Sequence, residues 1–137
     1  LVGLNKKQLK EMPYNMIGIE RTNSVEELVE IYSGADVFVN PTLEDNFPTV
    51  NLEALSCGTP VITFNTGGSV ETIDENTGFI VEKGNINDLY KKIKIVKLSG
   101  KEKYSQYCRN RATKLFNKEL NFSKYLNLYH DLYKRII

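Results

Sequence analysis

Three acids and a helix start lie close together in the segment Glu44-Asp45-Asn46-Phe47-Pro48-Thr49-Val50-Asn51-Leu52-Glu53. An ionised carboxylate can accept from neighbouring sugar hydroxyls. The free N–H groups of a first helical turn favour an anion such as phosphate. Acids beside a helix start therefore suit a ligand that is part sugar and part phosphate. Chemistry alone leaves a plainer possibility open. Glu44 and Asp45 would then be solvated loop acids, and Glu53 would pair with a nearby backbone or basic group.

Two short apolar runs must position these acids. Ala35-Asp36-Val37-Phe38-Val39 precedes the segment, and Val61-Ile62-Thr63-Phe64 follows it. Such runs fit strands covered on both faces of a parallel sheet. The acidic loop then sits at the carboxyl end of a strand, the edge where open α/β sheets bind ligands. A helix is expected over residues 48–57, with Asn46 or Phe47 near its cap. Its apolar residues Val50, Leu52, Ala54, Leu55 and Cys57 are spread around most of the circumference, which predicts burial on several sides. Glu53 lies beside that surface, and a buried carboxylate is costly unless it is paired. Gly67-Gly68 follows the second strand, on the same edge. Glycines there permit positive φ and close approach of a ligand to the backbone, or simply form a turn.

Strand-like runs fall at residues 1–4, 16–19, 37–39, 61–64 and 79–81, with helical patterns between them at 6–10, 24–32, 48–57, 87–96, 101–116 and 122–137. Ser24 is placed to cap the second helix, with Glu26 and Glu27 in its first turn. A short helical turn is expected from Gly67 through Ile73. The alternation predicts an α/β fold, a Rossmann-like parallel sheet flanked by helices with a helical C-terminal segment. The chain of 137 residues reads as a single domain, 1–137. It opens on Leu1 and is expected to be a piece of a longer protein.

A net charge of +1 gives no field that would gather nucleic acid or anionic lipid, so no nucleic-acid partner is expected. Lysines cluster near 91–103 and 114–124, where solvated helix faces explain them. No apolar run is long enough to span a bilayer, and no signal-peptide pattern is present. Cys57 and Cys108 lack metal-ligand spacing and read as reduced thiols of a cytoplasmic protein. The lone His130 sits in an aromatic-rich helix, where packing or exposure explains it. The stripe Phe122, Tyr125, Leu126, Tyr129, Leu132, Tyr133 is expected to be packing surface, with self-association through the last helix one outcome.

The ordered set Asp45, Asn46, Phe47, Pro48, Glu53, Ala54, Gly58, Pro60 and Val61 resembles the signature of the group 1 glycosyltransferases, retaining enzymes of GT-B fold. The likeness continues through Asn65-Thr66-Gly67-Gly68-Ser69-Val70-Glu71, Thr77-Gly78-Phe79-Ile80-Val81 and Asn85-Ile86-Asn87-Asp88-Leu89. Upstream it takes in Ile17-Gly18-Ile19, Leu28-Val29-Glu30-Ile31-Tyr32 and the run before Asn40. It covers about residues 16–97. The family's first acid is usually Glu followed by Gly. Here the eight-residue spacing to Glu53 falls on Asp45, with Glu44 one position earlier, so either acid is a candidate.

The resemblance implies most of the C-terminal, donor-binding domain of such an enzyme, with the N-terminal acceptor domain absent from the chain. It implies that Glu53 holds the ribose hydroxyls. Asp45, or Glu44 if the loop shifts, would contact the transferred sugar. Asn46, Phe47 and Pro48 would lie along that sugar, and Thr49 and Val50 would face the diphosphate. Ile17, Gly18 and Ile19 would form the wall under the base, and Gly67 and Gly68 would line the donor site. The catalytic candidates are thus Asp45, Glu44 and Glu53. No metal and no cofactor is expected; the substrate would be a UDP- or GDP-linked sugar. The family's basic pair for the diphosphate falls outside the chain, so the isolated chain is expected to be inactive. A cytoplasmic enzyme of polysaccharide biosynthesis, peripheral at the inner membrane, fits the resemblance. Two alternatives stay open: another GT-B enzyme such as a sugar-nucleotide epimerase, and a non-catalytic flavodoxin-like interaction module.

Overall fold

The computed structural model describes residues 1–136. Its centre is a parallel three-stranded sheet of β1 (Phe38–Asn40), β2 (Val61–Phe64) and β3 (Gly78–Val81), in the order β1-β2-β3. Phe38 pairs with Val61, and Val61 pairs with Gly78. β2 is the middle strand, and all four of its residues are buried. That explains its unbroken apolar and β-branched run, since neither face meets water. Parallel neighbours require a crossover. Helix α3 (Thr49–Ser56), described below, supplies the one from β1 to β2, and a 3₁₀ turn (Gly67–Glu71) begins the one from β2 to β3.

Helices α1 (Lys6–Lys10) and α2 (Val25–Gly34) precede β1. Ser24 caps α2 by accepting from the Glu27 N–H at 3.2 Å, as its position before two acids predicts. After β3 come α4 (Ile86–Ser99), α5 (Glu102–Leu115) and α6 (Lys118–Ile136). α5 buries Tyr104, Cys108 and Ala112, spaced four apart on one face, and packs on α3. The core joins these residues to Leu55, Ile62, Phe64, Val81 and Val96. At about 1.5–3 kcal/mol for each large apolar side chain fully buried, this cluster dominates the stability of the sheet.

The runs at 1–4 and 16–19 are not strands. They meet only in an isolated parallel bridge between Val2 and Ile19. Gly3, at φ 86, turns the backbone out of extended geometry directly after Val2, and the N–H of Met16 closes a turn onto the Pro13 carbonyl. The helices at 87–96 and 122–137 start earlier than expected, at Ile86 and Lys118, because Asn85 and Asn117 accept from the N–H groups three residues on. The α6 stripe, expected as packing surface, is left uncovered among the described residues. Phe122, Tyr125, Leu126, Tyr129, Leu132 and Tyr133 are all exposed.

Candidate functional site

The acid loop leaves the carboxyl end of β1 at Asn40 and enters α3 at Pro48. Both of its ends are held by polar side-chain contacts, part-buried at Asn40 and buried at Asn51. The Asn40 side-chain amide donates to Asn51 Oδ1 at 2.9 Å, and the fully buried Asn51 donates in turn to Thr72 Oγ1 at 3.0 Å. The Thr72 hydroxyl donates to the Ser69 carbonyl at 2.6 Å. Strand end, helix and 3₁₀ turn are thus linked through side chains satisfied away from water. Nothing in the expectations singled out Asn40, Asn51 or Thr72. Only Asn51, a polar residue among the apolar positions of α3, was available as a hint.

Within the loop, Asp45 is half-buried and its Oδ1 accepts from the Phe47 N–H at 3.0 Å. Glu44 is exposed; its carbonyl accepts from the Thr42 hydroxyl at 3.0 Å. The two acids therefore differ: Asp45 shapes the loop, whereas the Glu44 carboxylate extends into solvent. Gly67 and Gly68 explain the loop's position. A Cβ on Gly67 would lie 2.0 Å from the Asp45 carbonyl oxygen, and one on Gly68 would lie 2.1 Å from that of Asn46. Gly68 also donates its N–H to the Asn46 carbonyl at 3.0 Å, and the Thr66 hydroxyl donates to that of Thr42 at 3.2 Å. The glycine pair lets the second loop lie directly against the acid loop.

Helix α3 starts with Pro48 at the N-cap, φ −72, and no side chain caps it. Proline at this position leaves the first-turn N–H groups of Thr49 and Val50 without a capping acceptor, and both residues are exposed. The expectation that α3 is buried on several sides needs correcting. It buries Asn51, Ala54 and Leu55, while Val50 is 38 % exposed. Glu53 is likewise exposed, so no burial cost has to be met by a partner. One of its oxygens, Oε2, accepts from the Tyr32 hydroxyl at 3.0 Å. Among the described residues, Oε1 accepts no hydrogen bond.

Glu53 and Thr49 open onto a groove of about 700 Å³ between α2 and α3, which Val25, Leu28 and Tyr32 line on the other side and Lys118 at its edge. The groove is mainly apolar, with one carboxylate and one ammonium. Asp45 and Gly67-Gly68 are not among its lining residues; they lie around the start of α3. Ile17 is 81 % exposed, while Gly18 and Ile19 are half-buried in the segment that bridges to Val2. A Cβ on Gly18 would strike Met12 Sδ at 2.5 Å and Leu9 at 2.6 Å, so packing already accounts for that glycine. A second hollow of about 400 Å³ lies beside Asp74, Tyr107, Asn110, Arg111 and Lys114. Each nitrogen of the Arg111 guanidinium already donates, to Asp74 at 2.8 Å and to the Thr72 and Glu71 carbonyls, and none of the expected residues is there. Among the described residues no cluster of His, Cys, Asp or Glu could hold a metal ion. No described helix is long and apolar enough to cross a membrane.

A parallel α/β sheet with an acid loop and an open helix start at its carboxyl edge defines the class. The family model for "Glycosyl transferases group 1" matches residues 4–115, and the chain belongs to that family. It is 32% identical over 113 residues to the capsular polysaccharide biosynthesis glycosyltransferase CapM of Staphylococcus aureus, covering 80% of this chain and 30% of that protein. It is 28% identical over 113 residues to the N,N'-diacetylbacillosaminyl-diphospho-undecaprenol alpha-1,3-N-acetylgalactosaminyltransferase of Campylobacter jejuni, again covering 80% of this chain and 30% of that protein. Among solved structures, sucrose-phosphate synthase of Thermosynechococcus elongatus superposes with a TM-score of 0.78 at 28% identity, over 94% of this chain and 33% of that one. The chain thus spans about a third of the length of these relatives. The family and the Rossmann-like α/β fold expected from the acid motif are those found.

Proposed function

We propose that the chain is the donor-binding part of a retaining glycosyltransferase that uses a nucleoside-diphosphate sugar. The observation that carries this is the pairing of an uncapped α3 start with Glu53 one turn further on, a lining residue of the groove whose Oε1 accepts no hydrogen bond among the described residues. In the proposed complex the nucleoside lies in the groove, with apolar Val25 and Leu28 near it. Glu53 Oε1 accepts from the ribose hydroxyls. The diphosphate lies over the Thr49 and Val50 N–H groups, where the helix dipole favours negative charge. The sugar then reaches the acid loop, with Asp45 the first candidate to contact it. Its carboxylate is fixed by the loop and lies eight positions before Glu53, as in the family's motif. Transfer would depend on stabilising the leaving diphosphate as positive charge builds at the anomeric carbon. The acceptor would be bound by parts of the protein beyond this chain. The relative named for capsular polysaccharide biosynthesis supports a role in polysaccharide assembly.

The test is a transfer assay on the protein that carries this chain, with a panel of UDP- and GDP-sugars and NMR of the product anomer. Retention of the donor's anomeric configuration is expected, with Glu53→Gln raising the donor KM. An inverted product, or a donor KM indifferent to Glu53→Gln, would contradict the proposal.

A further inference from the structure

Glu53 is exposed on its helix, and an exposed glutamate ordinarily samples several rotamers. Here it is held by a residue that is not itself exposed. Tyr32 is 8% accessible and its hydroxyl donates to Glu53 Oε2 at 3.0 Å. The Tyr32 ring is set edge-on against Phe38, with centroids 5.4 Å apart and planes at 76°. Its backbone is pinned from two other elements. The Tyr32 carbonyl accepts from the buried Thr59 hydroxyl at 2.6 Å and from Lys101 Nζ at 3.4 Å, and Lys101 also donates to the Ser33 carbonyl at 2.6 Å. Ring and main chain are therefore both fixed, and the hydroxyl presents a fixed donor to α3.

We propose that Tyr32 is the positioning residue for the ligand carboxylate: it takes up Glu53 Oε2, fixes the side-chain rotamer, and leaves Oε1 aimed for the ribose hydroxyls. The inference rests on Glu53 being that carboxylate, as proposed above. Pre-setting one flexible side chain lowers the ordering cost of binding. Burial, and then the neighbouring Glu53 charge, push the Tyr32 phenol well above its usual range, so it remains a donor throughout neutral pH. Tyr32 also lines the groove, but its hydroxyl is committed to Glu53 and in this arrangement acts through that carboxylate.

The experiment compares the full chain with Tyr32→Phe, Glu53→Gln and the double variant. Affinity for UDP and GDP, and for their 2′-deoxy forms, is measured by NMR titration, with the thermal midpoint recorded for each variant. Phenylalanine keeps the ring against Phe38, so the variant is expected to fold. Tyr32→Phe should weaken ribonucleoside diphosphate binding about three- to tenfold, a fraction of the value of a hydrogen bond to a charged group. It should add nothing in the Glu53→Gln background, and its effect should be smaller with the 2′-deoxy ligands, which offer only the 3′-hydroxyl to the carboxylate. A Tyr32→Phe variant that binds like the unaltered chain while Glu53→Gln binds more weakly would overturn this inference alone. So would an equal loss from Tyr32→Phe in both backgrounds, because Tyr32 would then act through the fold. Glu53→Gln binding as tightly as the unaltered chain, or no binding of either diphosphate by the unaltered chain, would overturn the reading of Glu53 itself and the inference with it.

Discussion

Replacing Gly67 or Gly68 by alanine tests whether the glycine pair holds the acid loop. At Gly67 the new Cβ would lie 2.0 Å from the Asp45 carbonyl oxygen. An ordinary C···O contact is near 3.3 Å, so backbone must move by about 1.3 Å. Gly67 also sits at φ 45, and the left-handed region costs an alanine about 1–2 kcal/mol. Overpacking of this kind costs a further ~1–3 kcal/mol. Gly67→Ala should therefore destabilise by about 2–5 kcal/mol. Gly68 has the same steric conflict, 2.1 Å from the Asn46 carbonyl oxygen, without a positive φ, so its cost is about 1–3 kcal/mol. For a domain of this size each kcal/mol moves the midpoint by about 3–5 °C, so thermal denaturation followed by circular dichroism separates the two variants by several degrees. Both variants displace the loop that carries Asp45. Donor binding should thus fall even at temperatures where each is folded. If both alanines leave midpoint and affinity unchanged, the glycines do not set the loop.

Other outcomes follow from the same geometry. Asp45→Asn keeps Oδ1 as an acceptor for the Phe47 N–H but removes the charge, so it should depress turnover with little effect on stability, whereas Asp45→Ala should cost about 1 kcal/mol of stability as well; Glu44→Gln should leave both near normal, and the opposite ranking in a transfer assay would identify Glu44 as the sugar-contacting acid. Arg111→Leu removes charge-assisted bonds to Asp74 and to the Glu71 and Thr72 carbonyls, and urea denaturation should show a loss of about 2–4 kcal/mol. Cys108 is fully buried and its thiol is pushed up to about 12 by burial first and the Asp74 charge second. A raised folded-state value adds stability that is complete below the unfolded thiol's range and is lost as pH rises, so stability should fall above about pH 9 with a slope of up to ~1.4 kcal/mol per pH unit, reduced in Cys108→Ala. In a thiol-labelling time course at neutral pH the half-buried Cys57 should react first, with Cys108 following only on unfolding.

Much of the sheet was legible because its strands are short apolar runs with glycine or proline beside them. Val61–Phe64 fell where expected, since a strand buried on both faces reads as a short run of apolar and β-branched residues, the Thr63 hydroxyl being taken up by the Asn40 carbonyl. The runs at 1–4 and 16–19 look as apolar but pair over a single bridge, because Gly3 bends the chain and periodicity is blind to pairing partners. At the site, the sequence located the acid loop, the helix start and the glycine pair. It placed Glu53 beside a buried surface, whereas α3 turns that side chain outward and buries the polar Asn51 instead. Tyr32 was missed for a physical reason: it lies 21 residues from Glu53, and only the packing of α2 against α3 brings its hydroxyl to the carboxylate. Lys118 reaches the same groove from α6, again a contact that no local spacing encodes.

The most direct test of the donor site is an amide NMR titration of the chain with UDP and with GDP. Expected are shifts in the amides of residues 47–53 at the start of α3 and of Gly67 and Gly68, saturating together with one affinity. Shifts confined to other regions, such as the hollow beside Arg111 and Lys114 or the exposed face of α6, with residues 47–53 unmoved, would contradict the assignment of the donor site.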